Sequence, residues 1–221
     1  MCARYTLFTP GHEIAELFDL AGVPDLKPRY NVAPSQLVAV IGTKAGGGGR
    51  GLAMFRWGFV PHWANDTKGP RPVNAKAETV ANVPSFRDAF RQRRCLVPAD
   101  GFYEWRDTPD GKKPLFYRLK GGKVMALAGI WDCWPGPTEK LFTCAIVTTA
   151  ANPLVEEVHD RMPAILPSED WACWLDPAES DPAKLLPLLK PYPGDAMEFV
   201  QVNPAVNNAR YDAPDCLTVT A

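Results

Sequence analysis

The sequence predicts an α+β fold: a single domain over residues 1–221 in which mostly antiparallel strands form a β-meander or barrel-like sheet, with short helices at the periphery. Three observations carry this prediction. The 23 prolines and 17 glycines are spread along the chain rather than clustered, which favours many short elements joined by turns. Between Cys95 and Thr148, β-prone apolar runs alternate with turn pairs such as Asp110-Gly111 and Gly121-Gly122. Helical spacing of apolar residues is confined to short stretches. A length of 221 residues is enough to bury one substantial core.

The elements follow in order. After an N-terminal strand, Ile14, Leu17 and Phe18 predict an amphipathic helix over Glu13 to Leu20, ended by Ala21-Gly22. Pro34 biases the preceding backbone away from helix and leads into a strand over Leu37 to Ile41. The run Gly46-Gly47-Gly48-Gly49 lacks the lysine, hydroxyl and following helix of a phosphate loop and reads as a hairpin connection to Leu52–Trp57. Trp57 and Phe59 are expected in the core, whereas Trp63, followed by a polar loop, is a candidate exposed stacking surface or else another buried tryptophan.

Pro84 to Arg94 predicts a helix with Phe86, Ala89 and Phe90 on one face. Its arginines Arg87, Arg91 and Arg94 read as a solvated face or as a place for a phosphate backbone. The β-meander then runs from Cys95 to Thr148. Asn152-Pro153 caps a short helix ending near Val158, Ser168-Glu169-Asp170 opens one that buries Trp171, Trp174 and Leu175, and Asp181-Pro182 opens a third. Met197 to Val202 alternates as a last strand, and the tail from about 203 to 221 is expected to be irregular.

Composition removes several function classes. With 24 Lys and Arg against 25 Asp and Glu the net charge is -1, so any nucleic-acid contact must come from a local patch. The six cysteines contain no C-x-x-C pair, so no metal is expected, and nothing points to a cofactor. Cys95, Cys133, Cys144 and Cys173 have apolar or aromatic neighbours, as buried reduced thiols do, and no signal peptide is recognisable; a cytoplasmic location is expected. No apolar run is long enough to span a membrane.

Four positions suggest chemistry. Removal of Met1 ahead of a residue as small as Cys2 leaves a cysteine with both a thiol and a free α-amine. With an amine pKa of about 7.7 to 8.0 and a thiol near about 8.5, both nucleophiles are available near neutral pH. The amine can condense with an aldehyde and the thiolate can then close a thiazolidine; taken alone, however, a cysteine at this position is equally compatible with a structural or incidental role. Glu104, between Phe102-Tyr103 and Trp105, is a general acid if its aromatic neighbours desolvate it, or a solvated residue if strand alternation turns it outward. His159 lies at an expected helix C-terminus, where the macrodipole favours the protonated ring, as proton shuttle or as cap. Asn74 can offer its amide to an oxyanion or sugar hydroxyl, or simply satisfy its own loop.

Order and flanking residues add what the single positions lack. The stretches Met1-Cys2-Ala3-Arg4-Tyr5, Arg29-Tyr30-Asn31-Val32-Ala33-Pro34, Trp57-Gly58-Phe59-Val60-Pro61, Asn74-Ala75-Lys76-Ala77-Glu78-Thr79, Arg94 to Trp105, Ala128-Gly129-Ile130-Trp131 and His159-Asp160-Arg161-Met162-Pro163 together resemble the SOS response-associated peptidase (SRAP) family. The resemblance implies a sensor of abasic sites in single-stranded DNA or 3′ junctions that forms a covalent thiazolidine crosslink, a lyase-like enzyme whose peptidase activity removes its own Met1. It implies Cys2 as nucleophile, Asn74 positioning the sugar, Glu104 as proton donor and acceptor, and His159 assisting ring opening and reversal. It places Arg4, Asn31, Lys76 and Arg161 near phosphates, with Trp63 and Pro34 as stacking or wedge contacts, in a chain expected to act as a monomer. Two departures stand out: Ala3 replaces the usual glycine, and His62-Trp63 replaces paired tryptophans, which weakens the stacking assignment. Two other functions fit the residues less closely: a thiol-dependent peptidase or amidase using Cys2, and a single-stranded DNA binding module without chemistry.

Overall fold

The computed structural model describes residues 3–44 and 48–220. The roles expected of Met1 and Cys2, and the connection expected at Gly46-Gly47, lie outside the described residues. In chain order the elements are β1 (Tyr5–Leu7), α1 (Gly11–Leu17), β2 (Arg29–Val32), β3 (Leu37–Thr43), β4 (Arg50–Trp57), β5 (Asn74–Lys76), α2 (Arg87–Gln92), β6 (Arg94–Ala99) and β7 (Gly101–Thr108). There follow β8 (Gly111–Leu119), β9 (Met125–Pro135), β10 (Lys140–Ala150), α3 (Pro153–Glu156), β11 (Arg161–Pro163), α4 (Trp171–Leu175), α5 (Pro182–Leu185) and β12 (Met197–Gln201). The fold is α+β, mostly antiparallel, with short helices outside the sheets.

The strands form two sheets. One has the order β12-β8-β7-β1-β2, antiparallel throughout. The other runs β11-β10-β4-β3-β6-β9, and because β9 also pairs with β10, its inner five strands close into a small barrel, while β5 lies against β10. Closure removes two exposed edges at once. Trp57, Phe59, Leu96, Ile130 and Cys144 are fully buried in the main core.

The expected meander is therefore divided: the β7–β8 hairpin belongs to one sheet and the β9–β10 hairpin to the other. The chain changes sheets between β6 and β7, at Asp100-Gly101. A Cβ at Gly101 would stand 2.4 Å from the Phe116 ring and 2.5 Å from the Tyr117 carbonyl oxygen, so only glycine permits the crossing. The buried Asp100 carboxylate accepts the amides of Phe8 and Thr9 and the Thr9 hydroxyl, which pins the end of β1 to the same corner.

Two helices differ from expectation. The first begins and ends earlier than Glu13 to Leu20, since Asp19 at φ 52° takes the left-handed conformation that stops it. The second contracts to α2, and Arg94 is neither solvated nor free for phosphate. It is buried, and its five N–H groups donate to the carbonyls of Trp174, Phe90, Arg91, Asp176 and Glu179. Most of these are orphan carbonyls at the ends of α2 and α4, so one guanidinium caps both helices. Arg87 and Arg91 remain exposed.

The tail is built of short turns packed on a sheet. Two 3-10 turns, Pro204–Asn207 and Pro214–Leu217, cover the outer face of the five-stranded sheet, where Val206 and Cys216 bury against Tyr103 and Phe116. Asn31 fastens it: the buried Nδ2 donates to the carbonyls of Val206, Asn208 and Tyr211 at 3.1, 3.0 and 2.7 Å. Asp212 returns the contact by accepting the amides of Tyr30 and Asn31 and the Arg29 Nε. Of the four cysteines expected inside, Cys95 and Cys144 are buried and Cys133 and Cys173 half-buried; Cys216, for which no burial was expected, is buried in the tail. No helix among the described residues is long and apolar enough to cross a membrane.

Replacing Arg94 by methionine keeps the volume but strips five carbonyls of their donors. A loss of at least about 3 kcal/mol is expected in a urea titration, because each unsatisfied buried group costs on the order of 1–3 kcal/mol; a loss under about 1 kcal/mol, within the range of ordinary substitutions, would rule out the capping role.

Candidate functional site

The site begins with an edge of β1. Tyr5 and Thr6 pair with Phe102 and Gly101, and the Tyr103 amide donates to the Arg4 carbonyl at 3.0 Å. Continuing along β7, the next residue is Glu104. The same antiparallel register, carried one position on, sets Ala3 opposite Glu104.

Glu104 is 5% exposed. The solvated reading fails because both faces of β7 are covered, that of Tyr103 by the tail and that of Glu104 by the main core. Phe102 and Glu104 face the main core, where Phe102 stacks on Tyr117 at 5.2 Å, while Tyr103 faces the tail. Burial pushes the Glu104 carboxyl up to about 7, with the Asp160 carboxylate acting in the same direction. Tyr117, diagonal to it across the β7–β8 pair, is pushed up by burial to about 12 and stays protonated at neutral pH.

The second contribution comes from the end of β10. There Asn74 and Lys76 of β5 lie opposite Ile146 and Thr148, and Arg161 of β11 lies opposite Ala150. Thr148 joins the two flanks, its carbonyl accepting from the Ala77 amide at 2.8 Å and from Arg161 Nη2 at 2.6 Å. Asn74 is half-buried and Lys76 exposed. Arg106, two residues beyond Glu104 on β7, meets Glu157 at 3.4 Å and so ties this strand to the segment between α3 and β11.

His159 departs from the expectation of a ring charged by a helix dipole. Its pKa is lowered, burial being the largest cause, and α3 is only four residues long, too short for a strong dipole. The Arg161 amide donates to Nδ1 at 2.9 Å, which assigns the remaining proton of the neutral ring to Nε2. Asp160 Oδ1 lies 3.0 Å from the same Nδ1, so a ring protonated there would exchange the amide for a carboxylate.

Arg4 and Asn31 do not share a surface. Asn31 is fully buried, and its amide is used by the tail; its Oδ1 accepts from Arg4 Nη1 at 2.8 Å. It stands behind Arg4 and orients it, which replaces the direct phosphate contact expected of Asn31. The same Nη1 donates to Val206 O at 2.8 Å, and the guanidinium lies 5.7 Å over the Trp105 ring, itself held by Nε1 donating to Asn207 Oδ1 at 2.7 Å. Burial lowers the Arg4 pKa, yet a guanidinium remains charged.

Trp63 is 53% exposed on a loop that is firmly held. Thr143 Oγ1 accepts the Val60 amide, the buried Asp132 accepts the His62 amide at 2.9 Å, and Trp134 Nε1 donates to Ala64 O. His62 does not form a second stacking ring: its Nδ1 is 3.0 Å from Asp132 Oδ2, which also receives Arg93. Beside Trp63, the prolines 61, 70 and 72 line a shallow cavity of about 290 Å³. Pro34 occupies the tight turn Ala33–Gln36, where Ser35 takes φ 70°.

Among the described residues, no group of three or more His, Cys, Asp and Glu side chains could hold a metal ion. Sequence reasoning gave no role to Asp132 or Glu78. Asp132 carried the same signal as Glu104, a carboxylate inside an apolar aromatic strand, Trp131-Asp132-Cys133-Trp134. Glu78 carried none, since its partner Arg161 is distant in the chain.

Comparison with known proteins gives one consistent answer. A family model described as SOS response associated peptidase (SRAP) matches residues 1–209. The abasic site processing protein YoqW of Bacillus subtilis (strain 168) is 42% identical over 223 residues, covering 98% of this chain and 99% of that protein. The abasic site processing protein HMCES of Gallus gallus is 31% identical over 223 residues, covering 86% of this chain and 66% of its own length. A crystal structure of a protein from Bacteroides thetaiotaomicron superposes with a TM-score of 0.89 at 26% identity, with all of both chains covered.

The buried carboxyl has a thermodynamic consequence. A folded-state pKa raised to about 7 means that the native protein holds a proton the unfolded chain has released, so stability falls as pH rises from about 4.5 through about 7. Glu104→Gln is expected to be more stable than the wild type at pH 8 by on the order of 3 kcal/mol and equal to it at pH 4. Equal melting temperatures of the two proteins at pH 8 would show that the carboxyl is not desolvated.

Proposed function

Since the chain belongs to the SOS response associated peptidase (SRAP) family, we propose that it is an abasic-site processing enzyme that captures the lesion in single-stranded DNA, or at a 3′ junction, as a covalent thiazolidine on Cys2. The substrate is suggested by relatives named abasic site processing proteins. The observation that carries the mechanism is Glu104, a buried carboxyl pushed up to about 7 and next in line on β7 after the amide bound to Arg4. Such a group is half protonated near neutral pH, the condition for giving a proton and taking it back.

Met1 is first removed, by the enzyme's own peptidase activity, to free the α-amine. That amine adds to the ring-opened deoxyribose aldehyde; the Glu104 carboxylic acid protonates the hydroxyl, which leaves as water, and an iminium remains with its N–H. The Cys2 thiol gives its proton to the Glu104 carboxylate as its sulfur adds to the iminium carbon, so the ring nitrogen keeps its proton and the acid is restored. Neutral His159, its proton on Nε2, assists ring opening and reversal, and Asn74 positions the sugar. Lys76, Arg161 and Arg4 hold flanking phosphates, Trp63 stacks a base and Pro34 wedges beside it. A duplex hides the lesion, which favours single strands. The protein acts as a monomer in the cytoplasm.

An oligonucleotide with one abasic site is expected to give a denaturant-resistant band that disappears in Cys2→Ala. Retention of Met1 is expected to abolish the band and spare DNA affinity, as the amine is then an amide; a band of wild-type intensity from either protein removes the thiazolidine step. Trp63→Ala should weaken single-strand binding by about 1–3 kcal/mol in anisotropy without changing the melting temperature.

A further inference from the structure

We propose that Glu78 is a built-in competitor for the phosphate site at Arg161, a specificity-determining residue that keeps intact single strands from settling there; the inference rests on the DNA reading above. Arg161 Nη1 donates to Glu78 Oε1 at 2.6 Å and Nη2 to Oε2 at 2.9 Å, a two-pronged pairing. The oxygens of a phosphate fit the same fork, so the carboxylate stands where a phosphate would bind.

The two partners are held unequally. Arg161 has a side chain only 12% exposed and a further hydrogen bond from Nη2 to Thr148 O at 2.6 Å, whereas the Glu78 side chain is 53% exposed. When the carboxylate swings out, the guanidinium keeps its place on β11 and its anchor on β10. Glu78 is thus the member that yields, and an exposed carboxylate regains its hydration on leaving, which keeps the exchange reversible. The hydrogen bonds from Arg161 also lower the Glu78 pKa, so the competitor is charged at neutral pH.

Other arginines of the chain are likewise neutralised by carboxylates. Arg93 is bound to Asp132 and Arg29 to Asp212, and the whole chain has a net charge of -1. A protein that stays on a strand only through a covalent bond gains from low affinity for undamaged DNA. Glu78 weakens the encounter with intact and damaged strands alike, but capture makes the damaged encounter persist, so the penalty falls on intact DNA.

The test uses the full chain and a short fluorescein-labelled oligothymidylate without lesions. Glu78→Gln is expected to bind it roughly three- to tenfold more tightly than wild type. The gain should vanish in Glu78→Gln/Arg161→Ala, which should match Arg161→Ala alone. In crosslinking to an abasic oligonucleotide, excess unlabelled intact strand should slow Glu78→Gln more than wild type. Equal or weaker binding by Glu78→Gln, with a wild-type melting temperature, would show a buttress rather than a competitor and overturn the proposal while leaving the DNA reading intact. Should Glu78→Gln not fold, Glu78→Asp, too short to span the fork, is expected to show part of the same gain, and no gain there overturns the proposal equally. If wild type and variants alike fail to bind the oligonucleotide and to crosslink, the DNA reading itself has failed and this inference falls with it.

Discussion

The placement of β1 inside a sheet is the constraint on which the candidate site depends. A three-residue strand near a chain terminus would ordinarily fray. Here it is paired on both sides, with β2 and with β7, and Asp100 pins its far end. Register then does the rest: the Arg4 carbonyl meets the Tyr103 amide, and Ala3 falls opposite Glu104. The tail contributes by a different route. Through Asn31 and Val206 it fixes the Arg4 guanidinium, and by covering Tyr103 it denies β7 a wet face.

Buried charge is the second theme, and it serves two purposes. Arg94, Asp132 and Asp100 are held by several hydrogen bonds each, and they organise helix ends and loops that lack the length to hold themselves. Their desolvation is offset by full hydrogen bonding. Glu104 is different, for its pKa shows that the ionised form is disfavoured in its surroundings. A group that costs stability when charged is common where proton transfer is needed and uncommon where only packing matters. Asp132 anchors a loop through its hydrogen bonds, while Glu104 is the carboxyl to which the proposed proton transfer is assigned, though both lie inside aromatic strands.

Trp63 illustrates how an exposed aromatic can be fixed without being buried. Asp132, Thr143 and Trp134 all hold the backbone around it, so its ring is presented by a loop with little freedom to collapse. Less conformational entropy is then lost when a partner stacks on it. The histidine at position 62 fits this arrangement as an anchor rather than as a missing tryptophan.

What the sequence determined by itself is local. Asn152 caps α3 by accepting the Val155 amide, Asp181 caps α5 by accepting the Ala183 amide, and Gly111 turns the β7–β8 hairpin at φ 107°, all within a few residues of chain. Trp57 and Phe59 were recognisable as core from their immediate neighbours, whereas Trp63 was open between buried and exposed until the fold placed it. The tertiary structure decided what covers each face. Alternation along β7 states which residues share a side, yet only the fold covers the side that Glu104 shares with Phe102, and so its carboxyl is buried rather than a surface charge. For the same reason Arg94 became a cap, Asn31 a buried clasp and His159 a neutral ring: hydration and partner distance set these states, and both are properties of the folded surroundings that a one-dimensional pattern does not contain.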